Sequence, residues 1–142
     1  MTEVVTFYTD SHEVFFKKHF EPSLQLGQEF VLKAYKFDQK GSGNYMDNGW
    51  SESMTNKVDL LIKHSQKGAP FVYADCDVRW YRPVADLMPL MADCDIAIQS
   101  DGYGKFCAGV ILVQNPQKAL KLFEAVRECL LKRTGESGDQ VF

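Results

Sequence analysis

Five short apolar runs, separated by segments of helical or turn-rich character, constrain this chain more than any other feature. Val4 to Tyr8, Phe30 to Tyr35, Pro70 to Ala74, Ile96 to Gln99 and Cys107 to Val113 have the length of strands and are rich in β-branched and aromatic residues. Between them, Ser11, Glu13 and Glu21 bracket Phe15, Phe16 and Phe20, which predicts a capped helix ending at Pro22. From Ser51 to Lys67 the apolar residues Met54, Val58, Leu61 and Ile62 recur at helical spacing until Gly68 and Pro70 stop the pattern. Arg82-Pro83 opens a short helix through Leu87, Leu90 and Met91. The clearest helix has Asn115 as cap and Pro116 in its first turn, with Ala119, Leu122, Phe123, Val126 and Leu130 on one face. Strand and helix alternate, so the expected class is α/β, a mainly parallel sheet with helices on both faces. A chain of 142 residues, 45% of them apolar, fills one substantial core and hardly two. One domain over 1–142 is expected, with a glycine-rich surface loop from Asp38 to Gly49.

The tetrapeptide Ala-Asp-Cys-Asp occurs twice, at Ala74 to Asp77 and at Ala92 to Asp95. With eleven aspartates in the chain, Asp-x-Asp by itself carries little information. Position separates the copies. Asp75 and Asp77 close an apolar strand, and in open α/β sheets ligands bind beyond the C-terminal ends of the strands. Two carboxylates one residue apart on an extended chain project to the same side and form a compact, hard oxygen site. Asp93 and Asp95 come before a strand, where the opposite sheet edge is expected, and read as a solvated turn.

Charge and cysteine usage exclude some classes. A net charge of −3 with scattered lysines and arginines gives no footprint for a nucleic-acid backbone. No run approaches the roughly 18 apolar residues of a membrane span. Cys76, Cys94, Cys107 and Cys129 show no Cys-x-x-Cys spacing, so a reducing compartment, and with it a cytoplasmic location, is the simpler expectation. An anchor outside these residues stays compatible with that.

The run from Phe71 to Trp80 followed by Arg82-Pro83 resembles the Asp-x-Asp strand of GT-A-fold nucleotide-sugar glycosyltransferases, and in particular the nucleotide-diphospho-sugar transferase family. Three further segments fall in the same order: Gln99 to Gly102, Cys107 to Ile111 with Asn115 behind it, and Gly138-Asp139-Gln140. The resemblance covers most of the chain from Trp50 onward and implies a GT-A-like, Rossmann-related sheet. It implies metal-dependent transfer of a hexosyl or pentosyl group from a nucleoside-diphosphate-sugar, a UDP- or GDP-sugar, to a glycan or other hydroxyl acceptor. By the same resemblance Asp77 binds Mn²⁺ or Mg²⁺, Asp75 contacts the ribose and helps hold the metal, and Asp139 with Gln140 stands near the anomeric carbon of the donor sugar.

Other residues keep two readings. Asp139-Gln140 also fits a plain loop after a helix. Gly109 lies inside an apolar strand, where glycine often marks the close approach of a ligand or another backbone, and the resemblance makes that a sugar contact. Cys107 stands where some relatives carry a polar residue, and reads as a buried thiol. Asp101 either accepts bonds from sugar hydroxyls or forms an Asp-Gly turn. Lys57 either reaches a phosphate or lays its stem along the helix. Thr9 and Asp10 sit where relatives bind base and ribose, while capping by Asp10 or Ser11 accounts for the segment equally well. None of the three histidines reads as a ligand. The chain stops at Phe142, ahead of the region where such transferases commonly supply a late histidine to the metal, so a truncated or minimal domain is expected. Two other functions fit parts of the pattern: a GT-A-like module that binds a nucleotide without transfer, and a haloacid-dehalogenase-type phosphatase, which expects its Asp-x-Asp on the first strand.

Overall fold

In the computed structural model the described residues are 1–42, 44, 46–47 and 49–134. Five strands form one sheet in the order β2-β1-β3-β5-β4: β1 is Thr2–Tyr8, β2 Phe30–Lys36, β3 Phe71–Ala74, β4 Ile96–Ser100 and β5 Phe106–Val113. β1 pairs in parallel with both β2 and β3, and β5 runs antiparallel to both β3 and β4. All strands but β5 therefore point the same way. β5 reverses because a turn of residues 101–105, rather than a helix, joins it to β4, with Asp101 N–H bonded to the Lys105 carbonyl at 3.0 Å.

Alternate residues of each strand fill two cores, as side chains with a period of two must when both faces are covered. Val4, Val72, Ala74 and Leu112 pack on one face with Phe16, Phe20, Val84 and Met91. Val5, Phe71, Tyr73, Ile111 and Val113 pack on the other with Val58, Leu61, Ala119, Phe123 and Leu130. The second face carries the two long helices, Trp50–Gln66 and Pro116–Thr134, which also share an Arg127–Asp59 ion pair at 2.5 Å. The Asn115 side chain accepts from Lys118 N–H at 3.3 Å, so that cap forms as expected.

The first helical segment forms where expected but without its cap. Residues 10–23 run as one continuous helical stretch, tight at Asp10–His12 and widened at Phe16–Phe20, that ends at Ser23. Ser11 does not cap: its hydroxyl pairs with the His12 ring at 2.8 Å, and no side chain caps the segment at Thr9. Asp10 instead pairs with Lys36 at 2.9 Å. Packing of Phe16 and Phe20 into the core holds the segment, with Tyr8 and Phe16 stacked at 4.4 Å.

Two topological features place the site. After β1 the chain passes to one side to form β2, and after β2 it crosses to the other side to form β3. The C-terminal ends of β1 and β3 thus flank the point where the connections diverge, which is where open α/β sheets bind ligands. Gly49 starts the Trp50–Gln66 helix at that edge with φ +89°, and a Cβ there would lie 1.9 Å from the Lys40 carbonyl oxygen. Only glycine permits that approach. Among the described residues no helix is long and apolar enough to cross a membrane.

Candidate functional site

At the divergence point a cleft of about 240 Å³ is lined by Phe7, Tyr8, Thr9, His12, Trp50, Ser53, Met54, Asp75, Cys76 and Asp77. Three elements build it: the end of β1, the start of the Trp50–Gln66 helix and the turn after β3. A volume near 240 Å³ lies below the usual range for pockets that enclose a drug-sized molecule, so a ligand the size of a nucleotide would protrude from it. A wider depression of about 700 Å³ opens near the N-terminal edge of β4, beside Asp93, Asp95, Asn115 and Lys118. There Asp95 is paired with Lys118 at 3.0 Å and its carbonyl accepts from Gln114 and Asn115 N–H. It is the solvated turn expected of the second tetrapeptide, and size does not make it the site.

The two aspartates of the first tetrapeptide both face the cleft, by a different route from the one expected. β3 ends at Ala74, the Asp75 N–H makes its bond to the Gly109 carbonyl at 2.8 Å, and the chain then turns, with Val78 N–H bonded to the Asp75 carbonyl at 3.1 Å. The chain from 75 to 78 is a tight turn, so a turn rather than strand alternation brings Asp75 and Asp77 together. Asp77 is exposed, and Asp75 is about one-third exposed.

Asp75 is the more constrained of the two. Its Oδ1 accepts from the Tyr73 hydroxyl at 2.7 Å and from the Lys57 ammonium at 2.8 Å. Lys57 is buried, also donates to the Ala108 carbonyl at 2.6 Å, and sits 4.9 Å over the Tyr73 ring. Burial, reinforced by Asp75, raises the Tyr73 hydroxyl well above its ordinary pKa, so it remains a neutral donor. Burial likewise pushes the Cys76 thiol up to about 12, with Asp77 and Asp75 adding to the effect.

β5 runs beside the turn after β3, with the Gly109 carbonyl accepting from Asp75 N–H. Its pairing with β4 slips between Ile98 and Gln99, which face Ile111 and Cys107 respectively, so 108–110 bulge out of that ladder. Gly109 in this bulge lies against Asp75: a Cβ on it would be 3.7 Å from Asp75 Oδ2 and 3.5 Å from Cys107 Sγ. Cys107 is exposed, contrary to the buried thiol expected: it pairs with Gln99 at the exposed hairpin end of the sheet, beyond the bulge.

The structure therefore gathers Thr9, Asp75 and Asp77 in the cleft, with Lys57 and Gly109 against Asp75. Asp10 and Asp101 make their contacts elsewhere. Asp10 points to Lys36, and Asp101 lies at the hairpin tip, its Oδ1 accepting from Tyr103 and Lys105 N–H at 2.8 and 3.0 Å. Asp139 and Gln140 lie outside the described residues. Sequence reasoning missed Tyr73, although the two-residue period that linked Asp75 to Asp77 applies equally backward from Asp75. It also missed the Trp50, Tyr8 and His12 walls; Gly49 immediately before Trp50 was the available signal.

The donor set suits a hard divalent cation. Asp75, about one-third exposed, and Asp77, exposed, both line the cleft, and Mg²⁺ or Mn²⁺ bound through one or two carboxylates takes its remaining ligands from water and substrate phosphates. Among the described residues no group of three or more His, Cys, Asp or Glu side chains is placed to hold a metal.

The profile of the nucleotide-diphospho-sugar transferase family matches residues 10–142. The glycosyltransferase GlyE of Streptococcus pneumoniae is similar in structure, with a TM-score of 0.61 at 16% identity over 99% of this chain and 40% of GlyE. Its apo form superposes with a TM-score of 0.53. Apo mouse xyloside xylosyltransferase 1 is similar with a TM-score of 0.52 at 10% identity, over 93% of this chain and 73% of that one. At such identities the likeness is one of fold, and it bears out the expected GT-A-like α/β class. This chain spans about 40% of the length of GlyE. No curated protein matches it significantly.

Proposed function

The chain belongs to the nucleotide-diphospho-sugar transferase family, and from that premise we propose that its cleft binds a nucleoside-diphosphate-sugar together with Mn²⁺ or Mg²⁺ and serves transfer of the sugar to a hydroxyl acceptor. The observation that carries this reading is the convergence of Asp75 and Asp77 on the cleft between the ends of β1 and β3. Family membership, with Asp75 just after the third strand in the chain rather than after the first, speaks against the haloacid-dehalogenase-type alternative.

Asp77 and Asp75 Oδ2 would hold the ion, which when bound neutralises the diphosphate as negative charge develops on it. Asp75 is oriented by the Lys57 ammonium and the Tyr73 hydroxyl, both of which donate to its Oδ1. Tyr8 and Trp50 offer flat apolar walls for a nucleobase, and Thr9 a hydroxyl at the end of β1. The bulge at Gly109 leaves room beside Asp75 for a sugar or phosphate. Asp139 and Gln140 belong to this reading as the groups near the anomeric carbon.

The test is release or transfer of sugar from UDP- and GDP-sugars with Mn²⁺, in the parent chain and in Asp77→Ala. Turnover in the parent, lost in the variant, is expected. Metal-dependent nucleotide binding without turnover would instead support a binding module, which the 40% span of GlyE makes a concrete second reading.

A further inference from the structure

We propose that Tyr73 is a positioning residue for the metal site: its hydroxyl, with the Lys57 ammonium, occupies Asp75 Oδ1 so that Oδ2 alone is presented to the cleft. This rests on the reading above that Asp75 and Asp77 hold a divalent ion.

A carboxylate on an otherwise free side chain can rotate and offer either oxygen, or both. Here rotation is blocked. Oδ1 has two donors at 2.7 and 2.8 Å, one from each side chain. Neither donor is free to follow a rotating carboxylate. The Tyr73 ring is fully buried among Val5, Val58, Leu61 and Ile111, so its hydroxyl has a fixed place. The Lys57 ammonium is tied by a second bond to the Ala108 carbonyl at 2.6 Å and lies over the same tyrosine ring. What remains is Oδ2, on a side chain that lines the cleft and 3.7 Å from where a Cβ on Gly109 would stand.

A phenylalanine would fill the core at position 73 as well as tyrosine does. The hydroxyl adds nothing to the packing, and a buried hydroxyl must find a partner. Its partner here is the one core-facing oxygen of a residue that otherwise serves the cleft. Groups that orient a ligand oxygen from behind characteristically change metal affinity by about 10- to 100-fold when removed. The geometry also gives Lys57 a task different from reaching a phosphate: two of its three N–H donors point to Asp75 and Ala108, and the ammonium stands behind the carboxylate.

The test is Mn²⁺ binding by the 142-residue chain, followed through the electron paramagnetic resonance signal of the free ion, with UDP or GDP held saturating. Tyr73→Phe removes one oxygen and keeps the ring. Its Mn²⁺ dissociation constant is expected to rise about 10-fold, while nucleotide affinity measured without metal stays that of the parent. Tyr35→Phe is the matched control, since it deletes a hydroxyl bonded to His64 at 3.1 Å away from the cleft; it is expected to leave Mn²⁺ binding unchanged. In an Asp75→Ala background, Tyr73→Phe should have no further effect. A folded Tyr73→Phe that binds Mn²⁺ within twofold of the parent overturns the positioning role and leaves the metal site standing. A parent chain that binds no Mn²⁺ with either nucleotide overturns the metal site itself.

Discussion

Replacing Gly109 by alanine separates fold from function at a single atom. Gly109 has an ordinary backbone conformation, and the added methyl would meet Cys107 Sγ at 3.5 Å and Asp75 Oδ2 at 3.7 Å. Both are normal van der Waals separations, so the fold has room for it. Glycine inside a strand is less stable than alanine by about 0.5–1 kcal/mol, because it loses more backbone freedom on folding. Gly109→Ala should therefore gain about 0.5 kcal/mol, a rise of roughly 1–2 °C in melting temperature for a domain of this size. The same methyl stands against the free oxygen of Asp75. A ligand atom within bonding distance of that oxygen would be crowded, at a cost of about 1–3 kcal/mol, or roughly 5- to 150-fold in affinity. Urea unfolding and calorimetric titration with UDP and GDP in Mn²⁺ measure the two effects on one preparation. A variant more than 1 kcal/mol less stable than the parent would show that the glycine serves packing. A variant of parental stability and parental affinity would show that no ligand comes close to this wall.

Two further outcomes follow from the buried titratable groups. His64 is buried, with Nδ1 paired to Glu3 at 2.6 Å and Nε2 to Tyr35 at 3.1 Å, and burial holds its pKa below the usual value while Glu3 opposes and Lys67 and Lys63 add to the lowering. Because the folded pKa is the lower one, the unfolded chain binds the extra proton first. The contribution is complete above about pH 6.5 and is lost as pH falls toward the folded value, with a slope of at most about 1.4 kcal/mol per pH unit. Glu3 acts in a lower window: burial raises its carboxyl, but bonds from Lys67 and His64 outweigh that and leave it depressed, so its contribution disappears only in more acid solution. The urea midpoint should drop between pH 7 and 5, and His64→Asn should flatten that slope; a parent midpoint that does not move would contradict the assignment. Among the thiols, exposed Cys107 and Cys129 should react promptly with a maleimide at pH 7.5, whereas Cys76, with its thiol raised to about 12, should label only on unfolding. Prompt labelling of Cys76 in the native chain would show that the cleft floor opens.

Much of this arrangement is legible in the chain because it rests on local physics. Val72 and Ala74 alternate with Phe71 and Tyr73 between the two cores, as a doubly covered strand requires, and Asn115-Pro116 starts a helix by bonding Lys118 N–H. Gly109 stood out inside an apolar run, and it lies in the bulge beside Asp75. What escaped depends on partners distant in sequence. That β3 ends at Ala74, so that Asp75 begins a turn, is settled by where pairing with β5 stops. The helix after β1 widens at Phe16–Phe20, where Phe16 and Phe20 pack into the core, a demand that capping patterns do not encode. The partners of Asp10 and Asp101 were likewise not legible: a lysine on β2 pairs with the first, and the second bonds its own turn.

The central claim is that the first acidic pair, and not its twin, binds a metal with a nucleoside diphosphate. Calorimetric titration of the parent, Asp77→Ala and Asp95→Ala with UDP and GDP, each with and without Mn²⁺, tests it directly. Mn²⁺-dependent binding that Asp77→Ala abolishes and Asp95→Ala leaves nearly unchanged is the predicted result; equal loss in both variants, or binding in the parent that ignores Mn²⁺, would contradict it.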